Sequence, residues 1–474
     1  MTNNSNQEFQ KVLRTRDVVM LAFGAMIGWG WVVSSGQWIQ AGGVIGTVFG
    51  FLIGGLMIYL VGLTYAELTP AMPKSGGAMN FSYAAFGAKG SYITIWALAL
   101  SYIGVVCFEA CSFATIMQYV VPDFLQGYLY TVADYDVYLS WVAVAIAASV
   151  LIIYINYIGT KSAAKFQNIL TSIIAGVGLI LVAGSAFNGD SENLINQAFV
   201  GESEGSIISN VLKVAIMTPF FLFGFDIIPQ AAEEINVPLK RLGRLMVLSI
   251  ALAVVFYAMV VVAIGLVMNP EQIQASMDST GMVTADAIAL AFSNQAMTKV
   301  LIIGGLCGIV TTWNSFLIGG SRVLYSMSKA RMLPNVFSKL HSKHNTPYVA
   351  ILFLGTISII APFFGRVMLV WIVDAANFAC CLAYCLVAMS FLVLRKKEPD
   401  MPRPFRVKNG KAIGVLATIM AGFMAIMYII PGTNCSLIWQ EWIIVGGWTI
   451  LGIFLAFRAK RIYKDKFCSG IGLD

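Results

Sequence analysis

The chain has 474 residues, of which 58% are hydrophobic and only 11% charged, with eight cysteines and a net charge of +7. Its mean hydropathy of +0.80 lies far outside soluble-domain composition, which excludes a water-borne enzyme or binding module. The positive balance is no nucleic-acid footprint either, because the basic residues fall between long apolar runs.

Apolar runs long enough to cross a bilayer, about 20 residues each, recur twelve times: 17–40, 43–68, 91–121, 137–157, 161–187, 208–234, 244–268, 295–330, 347–364, 366–394, 412–430 and 437–458. Met1–Gln10 is polar and the first run follows Lys11, Arg14 and Arg16, so a cleavable leader is not expected. With residues 1–16 as a cytoplasmic tail, 27 of the 30 Lys and Arg fall inside; only Lys213, Lys299 and Arg366 fall outside. The outer connections carry Asp123, Asp134, Asp136, Asp190, Glu192, Glu202, Glu204, Glu271 and Asp278 instead. Both termini are therefore expected in the cytoplasm and the chain in the cytoplasmic membrane. The basic tail over 459–474 is expected to rest its Arg458–Lys466 stretch on anionic inner-leaflet lipid.

The first run holds the strongest signal. Between Gly24 and Gly36 stand four glycines and the pair Trp29 and Trp31. Glycines at 28 and 30 invite the helix to unwind, and hydrocarbon tolerates freed backbone groups only where they face a cavity or a ligand. The half-helix ending near Ile27 then offers orphan carbonyls to an ammonium, and the half-helix starting near Trp31 offers its positive end to a carboxylate. Close helix packing on small residues is the competing explanation. Farther on, Pro70–Gly90 is expected to be an irregular cytoplasmic connection. Glu109 then stands midway along the third run, where a charge at membrane depth is costly and marks a candidate proton site.

The sixth run breaks in the same way, as Thr218-Pro-Phe-Phe-Leu-Phe-Gly-Phe-Asp-Ile-Ile-Pro229. Pro219 and Pro229 remove donors opposite Ala215 and Phe225, and Gly224 sits between Phe223 and Phe225. Asp226 is expected to bind a substrate ammonium, carry a proton, or cap the following half-helix. The eighth run offers Thr311, Thr312 and Ser315, the hydroxyls that sodium coupling would want, though such groups usually bond their own backbone. Trp313 and Asn314 are placed to reach the pocket, with a lipid-facing tryptophan as the alternative. Asp374 in the tenth run reads as nearer the outer boundary. Arg322, Glu67, Glu233 and Glu234, at cytoplasmic helix ends, form either an inner gate network or a solvated interface. Cys107/Cys111 and Cys381/Cys385 share helix faces at i,i+4 and read as small apolar residues rather than a soft-metal site.

Runs one to five (17–187) and six to ten (208–394) match in pattern, each opening on a broken helix. An odd number of spans per half inverts the second. The expected fold is an all-α integral membrane protein of twelve transmembrane helices, a five-plus-five inverted repeat with discontinuous helices 1 and 6, and two further helices over 412–458.

Four stretches resemble the amino acid–polyamine–organocation family. They are Gly24-Ala-Met-Ile27-Gly28-Trp29-Gly30-Trp31-Val32; Tyr65-Ala66-Glu67-Leu68 with Pro73 and Ser75-Gly76-Gly77; Gly224-Phe225-Asp226 with Ala232-Glu233-Glu234; and Gly320-Ser321-Arg322 with Tyr325, Met327 and Leu333-Pro334. The resemblance covers about residues 15–460 and is specific to the family, not to a substrate. It implies a LeuT-type fold and alternating access. It also implies that Gly28, Trp29 and Gly30 bind a substrate carboxylate. The carbonyls of Ala25 and Met26, with those near Phe220–Phe223, would take the amine, and Phe220 or Phe225 would close over it. Trp29 departs from the family's small residue. If it points inward it either narrows the pocket for a small or stacking substrate, or crowds out the carboxylate and favours amines. The helix-five lysine of some proton-coupled members has no counterpart in 170–180.

The expected function is thus a secondary permease for an amino acid or small amine, coupled to protons through Glu109 or Asp226 or exchanging solutes, with sodium symport as a lesser alternative. Neither cofactor nor metal is expected. The two histidines, His341 and His344, lie in a basic loop, and HExxH, GxSxG and Walker motifs are missing, which weighs against a membrane enzyme. The Phe223-Gly-Phe-Asp226 run is similar to the Gly-x-Gly-Asp of intramembrane aspartyl proteases but lacks the first glycine. A channel would want a pore-lining repeat rather than asymmetric broken helices.

Overall fold

The computed structural model describes residues 9–133, 135–279, 281–365, 367–433 and 435–469, with the side chains of 367–370 left aside. Asp134, Arg366, most of Met1–Gln10 and the end of the basic tail, all part of the charge pattern above, lie outside the described residues.

The first apolar run folds as three pieces, α1 (Thr15–Met26), α2 (Gly30–Val33) and α3 (Ser35–Gly42). Then come α4 (Val44–Ala71), α5 (Gly77–Val120), a β-hairpin of β1 (Tyr128–Val132) and β2 (Tyr135–Tyr138), α6 (Leu139–Tyr157), α7 (Thr160–Asn188) and the short α8 (Ser191–Asn196). The sixth run gives α9 (Glu204–Phe221) and α10 (Ile227–Gln230), followed by α11 (Leu239–Val267), α12 (Pro270–Ser279) and α13 (Val283–Ala291). The last helices are α14 (Ala296–Lys329), α15 (Tyr348–Ile360), α16 (Val367–Lys397), α17 (Gly410–Ile429) and α18 (Trp439–Tyr463).

Ten segments among the described residues are long and apolar enough to cross a membrane. Two of the twelve expected runs fall short for local reasons. The sixth is cut at 222–226, leaving α9 with 18 residues that include Glu204 and Lys213 and are too polar on average. The ninth gives 13 residues of α15 before tightening into a 3₁₀ turn at Ala361–Phe364.

Burial sorts the helices. In their most apolar stretches α5 is 83% buried and α14 78%, whereas α18 is 11% buried. α5 packs on α14 and α16, α4 on α9 and α11, and α1 on α7, α11 and α14. The two longest helices therefore form the centre, and the broken α1 and α9/α10 lean against it.

Two expectations are corrected here. Pro70–Gly90 is mostly helix, not an irregular connection: α4 runs through Pro70, and α5 starts at Gly77. Gly77–Ser82 are buried, so packing overrides the local Pro/Gly signal, and the irregularity shrinks to Gly87, whose φ of 71° kinks α5. The chain is also not wholly α. Tyr128–Val132 and Tyr135–Tyr138 pair as antiparallel strands, because Tyr, Thr and Val in this polar connection suit a strand better than a helix.

Candidate functional site

At the first break, the last carbonyls of α1 run out of helical donors beyond Ile27. The carbonyl of Phe23 accepts from Ile27 N–H at 3.0 Å. That of Gly24 accepts from Thr311 Oγ1 at 3.0 Å, that of Ala25 from Thr312 Oγ1 at 3.2 Å, and that of Met26 from Tyr257 Oη at 2.8 Å. Hydroxyls from α14 and α11 thus take the place of the missing helical turn. The N–H side is different. Among the described residues, the N–H groups of Gly28, Trp29, Gly30 and Trp31 have no hydrogen-bond acceptor. Consecutive free N–H groups at a helix start make a concavity that favours an anion.

The second break keeps short turns at both of its ends. Leu222 N–H bonds Pro219 at 3.0 Å, and Ile227 N–H bonds Gly224 at 3.2 Å. Gly224 has φ +129°, and a Cβ there would stand 2.6 Å from the Cβ of Ala25. The two breaks therefore touch, and only glycine fits at the contact. Asp226 is fully buried. Its two carboxylate oxygens accept from Tyr102 Oη of α5 at 2.7 Å and Tyr384 Oη of α16 at 2.8 Å.

Beside the contact lies a cavity of about 150 Å³. Ala25, Met26, Gly28, Trp29 and Gly30 line it from the first break, and Phe220, Phe221 and Phe223 from the second. α5 adds Val105, Phe108 and Glu109; α14 adds Thr312 and Phe316; α16 adds Val373, Ala376 and Asn377; and Tyr257 comes from α11. Glu109 is the one charged lining residue; its side chain is buried, and Oε2 has no hydrogen-bond partner. A small apolar chamber thus holds one carboxyl group on one side and free backbone N–H groups on another. Such a pairing suits a solute with one ammonium and one carboxylate.

A sequence model of the amino acid permease family matches residues 13–455. The chain belongs to the amino acid permease family. With ten apolar helices among the described residues, the permease is a multi-pass membrane transporter and not an enzyme. It is 27% identical to a branched-chain amino acid permease of Bacillus subtilis, over 97% of this chain and 95% of that one. A methylthioribose transporter of the same organism is 25% identical over 97% and 95% of the two chains, and an aspartate–proton symporter 24% identical over 88% and 79%.

Several expected pocket residues stand off the cavity of the permease. Ile27 is buried between the breaks without lining it, and Gly224 is spent on the contact with Ala25. Phe225 turns away to pack on Tyr65 and Tyr384, with ring centroids 5.4 and 5.3 Å apart, and Asp226 follows it into the tyrosine clamp. Trp313 is buried in protein rather than facing lipid. Asn314 is held by Asn156 and Gln167, each at 2.8 Å. Asp374 is also outside the lining and pairs with Glu441 of α18.

The charged helix ends pair differently from a single network. Arg322 grips Glu234 with Nε at 2.6 Å and Nη2 at 3.0 Å, bonds Thr160 at 2.7 Å, and lies 5.7 Å from the ring of Phe9. The N-terminal segment is stitched over this pair, with Val12 and Leu13 N–H donating to the Glu234 carbonyl at 2.9 Å. Glu67 belongs to a second cluster. It accepts from Arg395 Nε at 3.0 Å and from Val407 N–H at 2.7 Å, with Arg403 Nε at 3.1 Å.

Asn377, Tyr257, Phe316 and the arginines at 395 and 403 escaped the sequence reading. A signal existed for some of them. Glu109, Val105 and Phe108 share an i, i+3, i+4 face, as do Val373, Ala376 and Asn377, so a candidate on a span implicates its helical neighbours.

Proposed function

We propose that the permease moves an amino acid or small amine across the cytoplasmic membrane by alternating access. The reading takes twelve spans in a LeuT-type five-plus-five repeat with both termini inside. The observation that carries it is the cavity at the two breaks, with unpaired N–H groups at Gly28–Trp31 and an unpaired carboxyl oxygen on Glu109. The N–H groups receive the substrate carboxylate. Phe220 and Phe223 cover its apolar part. The Arg322–Glu234 and Glu67–Arg395–Arg403 clusters hold the cytoplasmic side shut, and opening inward requires at least one of them to part. Driving force comes from protons, with Glu109 and Asp226 as the carboxyl sites, or from an exchanged solute. Relatives that carry branched-chain amino acids or aspartate with a proton support the substrate class.

Two other readings have a specific observation behind them. The hydroxyl oxygens of Thr311 and Thr312 lie 3.0 to 3.5 Å from the carbonyl oxygens of Gly24 and Ala25, a neighbourhood of oxygens that favours a sodium ion. Glu109 as the single charge favours an amine without a carboxylate. Purified protein in liposomes, offered a labelled panel of amino acids and amines with and without a proton or sodium gradient, separates all three. Saturable amino acid uptake with counterflow is expected. Lack of any saturable flux would overturn the transport reading, and uptake of amines alone would move the carboxylate out of it.

A further inference from the structure

The indole of Trp29 has a seat of its own. Trp29 is one of the residues lining the cavity, and its ring rests on Gly305 of α14, so closely that a Cβ at 305 would fall inside the ring. The neighbouring glycines bring the helices to this distance. A Cβ at Gly308 would stand 3.0 Å from the carbonyl oxygen of Gly28, and one at Gly304 2.8 Å from Val177 of α7. α14 therefore presses bare backbone against both the first break and the tryptophan that follows it.

A tryptophan has two side-chain torsions and a rigid bicycle, so it cannot absorb a clash by bending. It has to rotate as a whole. With Gly305 filled, the ring has to move off α14, and the cavity that Trp29 lines is the space beside it. At about 150 Å³ that space is small enough for a methyl-sized intrusion to matter. The Trp29 side chain is buried, and its contact with the bare backbone of Gly305 is a packing contact.

We infer that residue 305 sets the substrate size limit of the permease by fixing how far the Trp29 indole stands back from the pocket, glycine being the setting that leaves most room. The inference rests on the transport reading above. It makes Gly305 a specificity-positioning residue that never touches the substrate itself.

The test is a double-mutant cycle in proteoliposomes, reading KM and kcat for a homologous series of the accepted solute with side chains of increasing size. Gly305→Ala is expected to raise KM for the larger members about tenfold relative to the smallest, the discrimination one methyl group makes in a tight pocket. Trp29→Ala alone should widen the range. In the Trp29→Ala background, Gly305→Ala should leave the size profile unchanged, because the ring that transmits the effect is gone. If Gly305→Ala alone does not fold, folding of the double variant supports the seat, and failure of both overturns it. A uniform loss across all sizes, or an equal shift without Trp29, also overturns it. Wild-type protein with no flux of any solute would instead sink the transport reading.

Discussion

Two glycine-broken helices meet at the centre of this molecule and end in opposite conditions. At the first break the carbonyls are capped by Thr311, Thr312 and Tyr257, while four consecutive N–H groups stay free beside a cavity. At the second, Gly224 is pressed against Ala25 and Asp226 is clamped by Tyr102 and Tyr384. One break is an open polar edge and the other a locked joint. A helix interruption at membrane depth must satisfy its backbone or use it, and here the two halves do one each. The joint holds the edge in place.

The contrast can be broken at its stiffest point. Gly224→Ala must place a side chain at φ +129° and 2.6 Å from Ala25. A conformation of that kind costs about 1–3 kcal/mol before the clash is added. Loss of transport with a large fall in folded yield is expected; normal flux would mean that the breaks are not in rigid contact. Next comes the clamp. Asp226→Ala orphans two buried tyrosine hydroxyls, for a destabilisation of about 3 kcal/mol, read as a lower melting temperature in detergent. Tyr102→Phe and Tyr384→Phe should each cost less and combine non-additively, since they share one carboxylate. Additive effects would show two independent bonds.

The open edge should respond in function more than in stability. In Glu109→Gln, substrate exchange is expected to persist while pH-driven accumulation is lost, measured as counterflow against uptake under a proton gradient. Unchanged accumulation would place the proton elsewhere. The smallest effect belongs to Tyr257→Phe, which uncaps the carbonyl of Met26. Stability should fall by about 1 kcal/mol. Apparent affinity for an amine substrate should rise up to about fivefold, as that carbonyl becomes free to accept from the ammonium. An unchanged KM would leave the amine to another acceptor.

Much of this was legible in the chain. Glycine spacing marked both interruptions, and both occur within a few residues of where the glycines stand. Glu109 was legible because nothing in an apolar run explains a lone carboxylate, and it does face the cavity. Phe225 and Asp226 were legible as part of a break but not in direction. Which way they point follows from the backbone turn at Gly224 and from tyrosines more than a hundred residues away. The charged helix ends show the same limit. Glu67 and Arg322 are both charged helix-end residues, but their partners are Arg395 and Arg403 for one and Glu234 for the other. Ion pairing depends on which ends come together, and spacing carries no record of that.

The sequence by itself determined that this chain lives in a bilayer, roughly where its apolar helices lie, and that two of them are interrupted. These are consequences of local composition, since hydrocarbon and glycine act residue by residue. Tertiary structure alone decided which backbone groups stayed free, where Asp226 was buried, and that the indole of Trp29 rests on Gly305. Each of those depends on the distance between helices far apart in the chain, and packing alone sets that distance.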